Sequence, residues 1–228
     1  MFSSGKRLFL VRALISFLLT CAALLSLVPG TALAATAPPE IKADSYLVAD
    51  LNTGRVLMSK GIDTACVPAS LTKIMTMYVL FDAISNGEVS LDDMVPISEL
   101  AWSTEGSKMY VLVGTEVKLE DLVKGVTVMS GNDACVAIAE HLAGNVQSFV
   151  DRMNEKARSL GLTQTHFVDP NGLSDDNRVS ANDLLKLVTS YANVHPEAMP
   201  YHAIKEFAYT APGERPMAPQ FNRNRLLW

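Results

Sequence analysis

Ser70 and Lys73 stand three positions apart at the head of an otherwise apolar stretch, Ser70-Leu71-Thr72-Lys73-Ile74-Met75-Thr76-Met77-Tyr78-Val79-Leu80-Phe81. Good helix formers dominate, no Gly or Pro interrupts, and Pro68 lies just upstream, where a helix start tolerates it. The spacing predicts a helix over 70–81 that runs on to a stop at Asn86-Gly87. Its apolar residues are not confined to one stripe, so it should be buried on most sides. Lys73 is then a lone charge in a core helix, and an ammonium there is costly unless something uses it. Burial lowers a lysine pKa towards a value useful in a base. Ser70, one turn back on the same face, sits at the amino end where free N–H groups and the positive dipole end collect. A hydroxyl beside a desolvated amine is one way to build an activated nucleophile.

Spacing alone does not establish that chemistry. Ser3 and Lys6 show the same separation near the amino terminus, and a lysine near a helix start commonly snorkels to solvent. The apolar surroundings of Lys73 favour the chemical reading. A second constellation follows sixty residues later, Val128-Met129-Ser130-Gly131-Asn132-Asp133-Ala134. Taken singly, Ser-Gly-Asn before a helix is an ordinary cap and turn.

The elements that must position these residues are mostly helical. Ser45–Asp50 and Arg55–Lys60 read as two strands joined at Asn52-Thr53-Gly54. Ser98–Ser103 reads as a short helix, Val111–Val117 as a loop or short strand around Gly114, and Leu119–Val123 as the opening of a short helix with Glu120 and Asp121 in its first turn. Asn132–Ala143 is amphipathic and stopped by Gly144; Val146–Leu160 is closed by Gly161. Asp169-Pro170-Asn171-Gly172 is a strong turn, and Ser180-Ala181-Asn182-Asp183 caps a helix to about Ala192. From His195 to Pro219 five prolines predict irregular chain. A two-stranded hairpin is marginal alone, and its apolar faces need further strands, of which none is visible.

The amino terminus reads as an export signal. Lys6, Arg7 and Arg12 precede the apolar run Leu14–Val28, and Ala32-Leu33-Ala34 fits an A-x-A cleavage site, with cleavage expected after Ala34. Residues 35–40 are a Pro/Ala linker. Loss of the signal leaves 16 basic against 24 acidic residues, a formal charge near −8, which argues against nucleic acid as a partner. About 194 residues suffice for one domain with a real core. Cys21 belongs to the apolar run, and Cys66 and Cys135 are expected as free, partly buried thiols. His141, His166, His195 and His202 are scattered without ligand spacing, so no metal site is expected.

Together Ser70, Lys73, Ser130 and Asn132 match S-x-x-K and S-x-N, two of the three elements of penicillin-recognising acyl-serine enzymes. From about Ile41 to Trp228 the chain resembles the low-molecular-weight penicillin-binding proteins that are D-alanyl-D-alanine carboxypeptidases. The resemblance includes Asp50-Leu51-Asn52-Thr53-Gly54-Arg55-Val56-Leu57, Pro68–Thr76, Ser130-Gly131-Asn132-Asp133-Ala134, Met153-Asn154, Leu160-Gly161, Thr165-His166-Phe167 and Asn222-Arg223-Asn224. It implies a mixed α/β (α+β) fold of the β-lactamase and DD-peptidase type, with a helical subdomain and an incomplete antiparallel sheet. It also implies serine acyl transfer on peptidoglycan stem peptides. Ser70 would attack the carbonyl between the terminal D-alanines, and Lys73 would take its proton. Ser130 would relay a proton to the departing amine, since a hydroxyl both accepts and donates. Asn132 would hydrogen-bond the substrate peptide and Arg223 would lie near its carboxylate. β-Lactams would acylate Ser70 as slow-leaving inhibitors. No cofactor is implied.

The third element, K-T-G or a close variant, occurs nowhere in the 228 residues. In the family it follows shortly after the Asn-Arg-Asn stretch, on the strand that borders the site and supplies one oxyanion-hole N–H. Residues 41–228 are therefore expected to be a partial catalytic domain without its last strands, and without the carboxy-terminal region through which some members associate with membranes. Loss of one oxyanion donor costs roughly 10²–10³ in kcat. Two rival readings stay open: a β-lactamase-like hydrolase, against which the absence of E-x-x-L-N speaks, and a non-catalytic protein that holds cell-wall peptides. The expected outcome for these 228 residues is slow labelling by a fluorescent penicillin; rapid stoichiometric labelling at Ser70 would show the third element to be dispensable.

Overall fold

The computed structural model describes Ser16, residues 39–51 and residues 53–228. The expected export signal, its cleavage site, most of the linker and Asn52 of the first turn lie outside the described residues. The chain divides into two compact units, residues 1–41 and 42–228. In the first, Pro39–Ile41 carry no regular structure; the second contains all the elements that follow.

The expected hairpin is present. β1 (Tyr46–Ala49) pairs antiparallel with β2 (Val56–Lys60), with Tyr46 opposite Lys60 and an irregularity between Val48 and Ala49. Asp50 shapes the connecting turn, accepting hydrogen bonds from Thr53 N and Thr53 Oγ1. Val48, Val56 and Leu57 remain exposed on this ribbon. A groove of about 620 Å³, lined partly by Tyr46, Leu47, Leu71, Leu184 and Val188, separates it from the body.

The helix heading the Ser-Lys stretch differs from its expected bounds. Ala69–Thr72 form a 3-10 turn, and the α-helix, α1, runs from Lys73 to Ser85. Pro68 lacks an N–H and Ala69 holds a left-handed φ of +48°, so the chain enters by a tight corner rather than a regular first turn. As expected, α1 is buried on most sides. Met75, Met77, Tyr78, Val79, Leu80, Phe81 and Ala83 all lie in the core.

Around α1 pack α2 (Glu99–Ser103), α3 (Leu119–Met129), α4 (Asn132–Ala143), α5 (Val146–Ser159), α6 (Ala181–Val194) and the short α7 (Met199–His202). Side-chain caps start three of them where the sequence places Ser or Asn: Ser98 accepts from Ala101 N, Asn145 from Ser148 N and Ser180 from Asp183 N. α3 is a full three-turn helix, longer than expected. Ile138, Phe149, Met153 and Leu122 join α1 in a single core.

Two small sheets lie largely outside the sequence pattern, which offers for them only the loop or short strand at Val111–Val117. β3 (Met94–Pro96) pairs antiparallel with β4 (Glu116–Lys118), and β5 (Glu206–Phe207) with β6 (Gln220–Phe221). Strands of two or three residues carry too little alternation to announce themselves. The tail beyond His195 is accordingly more regular than its prolines suggest. Among the described residues the three sheets stay separate two-stranded pairs rather than one continuous sheet.

At the carboxy end of α1, His195 is 2% exposed between two carboxylates. Its Nε2 lies 2.9 Å from Asp82 Oδ1 and its Nδ1 3.1 Å from Glu197 Oε1, and Lys156 meets Asp82 at 2.6 Å. This cluster ties α1, α5 and the end of α6 together. Replacing His195 by Ala leaves Asp82 short of a partner and opens space beside Tyr78 and Tyr191, whose rings flank it. The expected loss is about 3 kcal/mol of stability, read as a lower urea midpoint at unchanged slope.

Candidate active site

The 3-10 turn explains how Ser70 and Lys73 meet. Residues three apart eclipse one another in such a turn, so the two side chains stand one above the other, with Lys73 Nζ donating to Ser70 Oγ at 3.2 Å. Ser70 is exposed, whereas Lys73 is 5% exposed. The nucleophile candidate faces solvent and its neighbour lies beneath it.

Ser130 arrives from the opposite side. It closes α3 with φ +56°, a left-handed conformation more usual for Gly at that position. Non-Gly residues adopt it at a cost and cluster at functional sites. Reversing the chain between α3 and α4 brings Ser130 Oγ to 3.1 Å from Ser70 Oγ, to which it donates. Ser70 Oγ thus lies within hydrogen-bond reach of both an amine and a second hydroxyl.

Asn132, expected to hydrogen-bond the substrate peptide, is held within the protein at both ends of its amide. It is 5% exposed, its Oδ1 accepts from Lys73 Nζ at 2.8 Å, and its Nδ2 donates to the Glu105 carbonyl at 2.7 Å. Its backbone N–H donates to Ser107 O at 2.7 Å, and next to it the buried Asp133 accepts from the N–H groups of Met109, Tyr110, Val111 and Ala134. These bonds fasten the loop 105–111 onto the start of α4. Gly106 allows that approach, since a Cβ there would stand 2.6 Å from Asn132 Nδ2.

The third oxygen around Lys73 is a backbone carbonyl, Asn171 O, at 2.6 Å from Nζ. Sequence reasoning found the Asp169-Pro170-Asn171-Gly172 turn but gave it no part in the site. A carbonyl leaves no mark on residue type, so the turn signal alone could not have found it. Arg223 is exposed in the segment after β6. It makes no hydrogen bond to Ser70, Lys73, Ser130 or Asn132, although its charge is felt at Lys73.

Burial depresses the Lys73 pKa below its ordinary value. Arg223 pushes the same way, and the carboxylates of Asp169 and Asp133 push against it. Cys135 counts towards Lys73 only as a thiolate. Its thiol is fully buried and pushed up to about 12, so at neutral pH it stays uncharged and leaves the depression intact. Cys66 and Cys135 are both free, but neither is partly buried as expected: Cys66 is exposed and Cys135 wholly enclosed. A hydroxyl, a desolvated amine and a second hydroxyl at these separations can pass a proton among them.

Among the described residues no cluster of three or more His, Cys, Asp or Glu side chains could hold a metal ion. Among them, too, no helix is long and apolar enough to cross a membrane.

Comparison with known proteins gives a consistent result. Residues 32–228 match the family model for D-alanyl-D-alanine carboxypeptidase. The D-alanyl-D-alanine carboxypeptidase DacA of Haemophilus influenzae is 40% identical over 195 residues, covering 84% of this chain and 48% of the relative. DacC of Escherichia coli is 39% identical over 197 residues, covering 83% and 48%. The chain therefore spans about half the length of the curated relatives it matches. Among solved structures, penicillin binding protein 5 from Haemophilus influenzae superposes with a TM-score of 0.79 at 39% identity, over 85% of this chain and 56% of that one. DacD from Francisella tularensis gives 0.78 at 39% identity, over 85% and 47%. On family, motifs and fold alike, the chain belongs to the D-alanyl-D-alanine carboxypeptidases.

Proposed function

We propose that this chain carries the acylation centre of a serine-type D-Ala-D-Ala carboxypeptidase acting on peptidoglycan stem peptides. The observation that supports this most strongly is the placement of Ser70 Oγ, 3.2 Å from Lys73 Nζ and 3.1 Å from Ser130 Oγ. Ser70 attacks the carbonyl between the two terminal D-alanines, while the neutral Lys73 amine takes the hydroxyl proton. Ser130 passes a proton to the departing D-alanine nitrogen. The acyl group stays on Ser70 Oγ until water releases the shortened stem and restores the hydroxyl.

Asn132 serves this chemistry from below. Its Oδ1 and the Asn171 carbonyl fix Lys73 Nζ, and a lone pair on Oδ1 is free to turn towards a bound amide. Arg223, with its guanidinium fork, suits the substrate's terminal carboxylate, which it would meet with two parallel N–H···O bonds. β-Lactams acylate the same serine. The basic, apolar amino terminus with its A-x-A site supports export, with cleavage after Ala34, to the periplasm or cell envelope where such stems occur. Residues 41–228 form the catalytic portion.

The test is covalent labelling by a fluorescent penicillin, located by mass spectrometry, alongside D-alanine release from a D-Ala-D-Ala peptide. Labelling should fall on Ser70 and vanish in Ser70→Ala; a label elsewhere, or one that survives this change, refutes the reading. Lys73→Met and Ser130→Ala should each slow acylation by about 10²–10⁴, the usual worth of a positioned proton-transfer group.

The pH dependence has a fixed sign. Lys73 works as a base only when neutral, and burial moves its folded pKa below the model-compound 10.5. Acylation should therefore rise with pH along a limb whose midpoint lies below 10.5, and the limb should disappear in Lys73→Met. An acid limb that persists at the same midpoint in Lys73→Met would exclude Lys73 as the base.

A further inference from the structure

The cage around Lys73 is closed by a turn pressed against the turn that carries Ser70. A Cβ on Gly172 would stand 1.8 Å from the Ala69 carbonyl oxygen and 3.0 Å from Thr72 Oγ1, and its φ is +81°. Only glycine fits there. Two successive carbonyls of this turn point into α1. Pro170 O accepts from Thr76 Oγ1 at 2.5 Å, and Asn171 O accepts from Lys73 Nζ at 2.6 Å. Asp169 takes most of the backbone N–H groups of this turn, and Asn171 Oδ1 accepts one more, from Leu173 N at 2.9 Å. Asp169 Oδ1 accepts from Asn171 N at 3.0 Å and Gly172 N at 2.5 Å, and its Oδ2 from Ser174 N at 2.7 Å. Three N–H groups on one carboxylate are charge-assisted bonds, roughly twice as strong as neutral ones.

We propose that Asp169 is a positioning residue for Lys73: by gathering the N–H groups of Asn171, Gly172 and Ser174, its carboxylate fixes the Asn171 carbonyl that seats Lys73 Nζ beneath Ser70 Oγ. The inference rests on the reading of Lys73 as the base. Asp169 touches neither Ser70 nor Lys73 by a hydrogen bond; it acts through backbone. A neutral amide in its place is nearly the same size but offers one acceptor oxygen instead of two. Its NH2 would then face the Ser174 N–H donor to donor.

The groups facing Lys73 define a readout that a purely structural role would not move. Ser70 Oγ faces it from its own turn, Asn132 Oδ1, Asp133 and Cys135 from α4, Asn171 O and Asp169 from the turn, and Arg223 from the segment after β6. Cys135 is a neutral thiol, Arg223 favours loss of the Lys73 proton, and Asp133 and Asp169 oppose it. Removing the Asp169 charge should lower the pH at which Lys73 deprotonates, while removing one of its oxygens loosens the seat. The two effects have opposite consequences near neutral pH: more of the amine is neutral, but it is less well aimed.

The experiment follows the Lys73 amine directly. The 228-residue chain is labelled with [13Cε]lysine, the Lys73 resonance is assigned by its loss in Lys73→Arg, and wild type, Asp169→Asn and Asp169→Thr are titrated. Asp169→Thr keeps a hydroxyl acceptor without the charge and stands in if Asp169→Asn does not fold. The expected result is a Lys73 midpoint displaced to lower pH in either folded variant. Fluorescent-penicillin labelling of Ser70 at its high-pH plateau should slow by about tenfold to 100-fold, with the acid limb displaced the same way. An unmoved Lys73 midpoint in a folded variant overturns the proposal, as does labelling that slows only in proportion to the folded protein lost. A wild-type Lys73 that titrates as an ordinary solvated lysine refutes instead the assignment of Lys73 as the base, a result visible without any Asp169 variant.

Discussion

Burying one amine is the constraint that organises this molecule. Lys73 Nζ has three hydrogen-bonding directions and meets three oxygens, Ser70 Oγ, Asn132 Oδ1 and Asn171 O. They come from the nucleophile turn, from the start of α4 and from a loop a hundred residues further along. Unpaired, such a group would cost several kcal/mol in a core. Satisfied by neutral oxygens alone, it stays desolvated enough to give up its proton. Three distant parts of the chain must therefore be held in register for the amine to be both tolerable and useful.

The supports of that register are carboxylates that bind mainly backbone N–H groups, with Asp183 alone of the three also meeting a cation, Lys186. Asp133 gathers four and fixes loop 105–111; Asp169 gathers three and fixes the turn at 169–174; Asp183 accepts from Gln164 N and Thr165 Oγ1 and secures the segment leading into that turn. Asn154 does the same with an amide, accepting from Phe167 N and donating to Phe167 O. Apart from the isolated bridge between His166 and Arg178, these segments belong to no named strand, so side chains satisfy much of their backbone. The strained residues lie where this scaffold turns most sharply: Ala69 before the nucleophile, Tyr110 in the fastened loop and Ser130 at the end of α3.

Much of this was legible in the residues. Ser70 and Lys73 stand out because a lone charge inside an apolar helix demands an explanation. Ser130 and Asn132 stand out through a motif that each residue alone would not reveal. The first hairpin and the principal helices follow from period and caps, as at Ser98, Asn145 and Ser180. The 3-10 entry of α1 did not, because Ala69 looks like any helix former and nothing in the residue types marks its left-handed backbone, against which the Gly172 turn packs. The inward role of Asn132 was hidden as well, since the Glu105 carbonyl that holds it belongs to a segment with no pattern of its own. Strands of two or three residues, such as Glu206–Phe207, carry too few alternations to separate from loop.

The ribbon β1–β2 is built on a different economy from the rest. Among the described residues no third strand pairs with it, and Val48, Val56 and Leu57 meet water above a groove whose walls are largely aliphatic. Unpaired N–H and C=O rows beside uncovered aliphatic surface invite strand addition from another molecule. Self-association in concentrated solution is therefore expected to start edge to edge at residues 46–60 rather than on the tightly knit helical body.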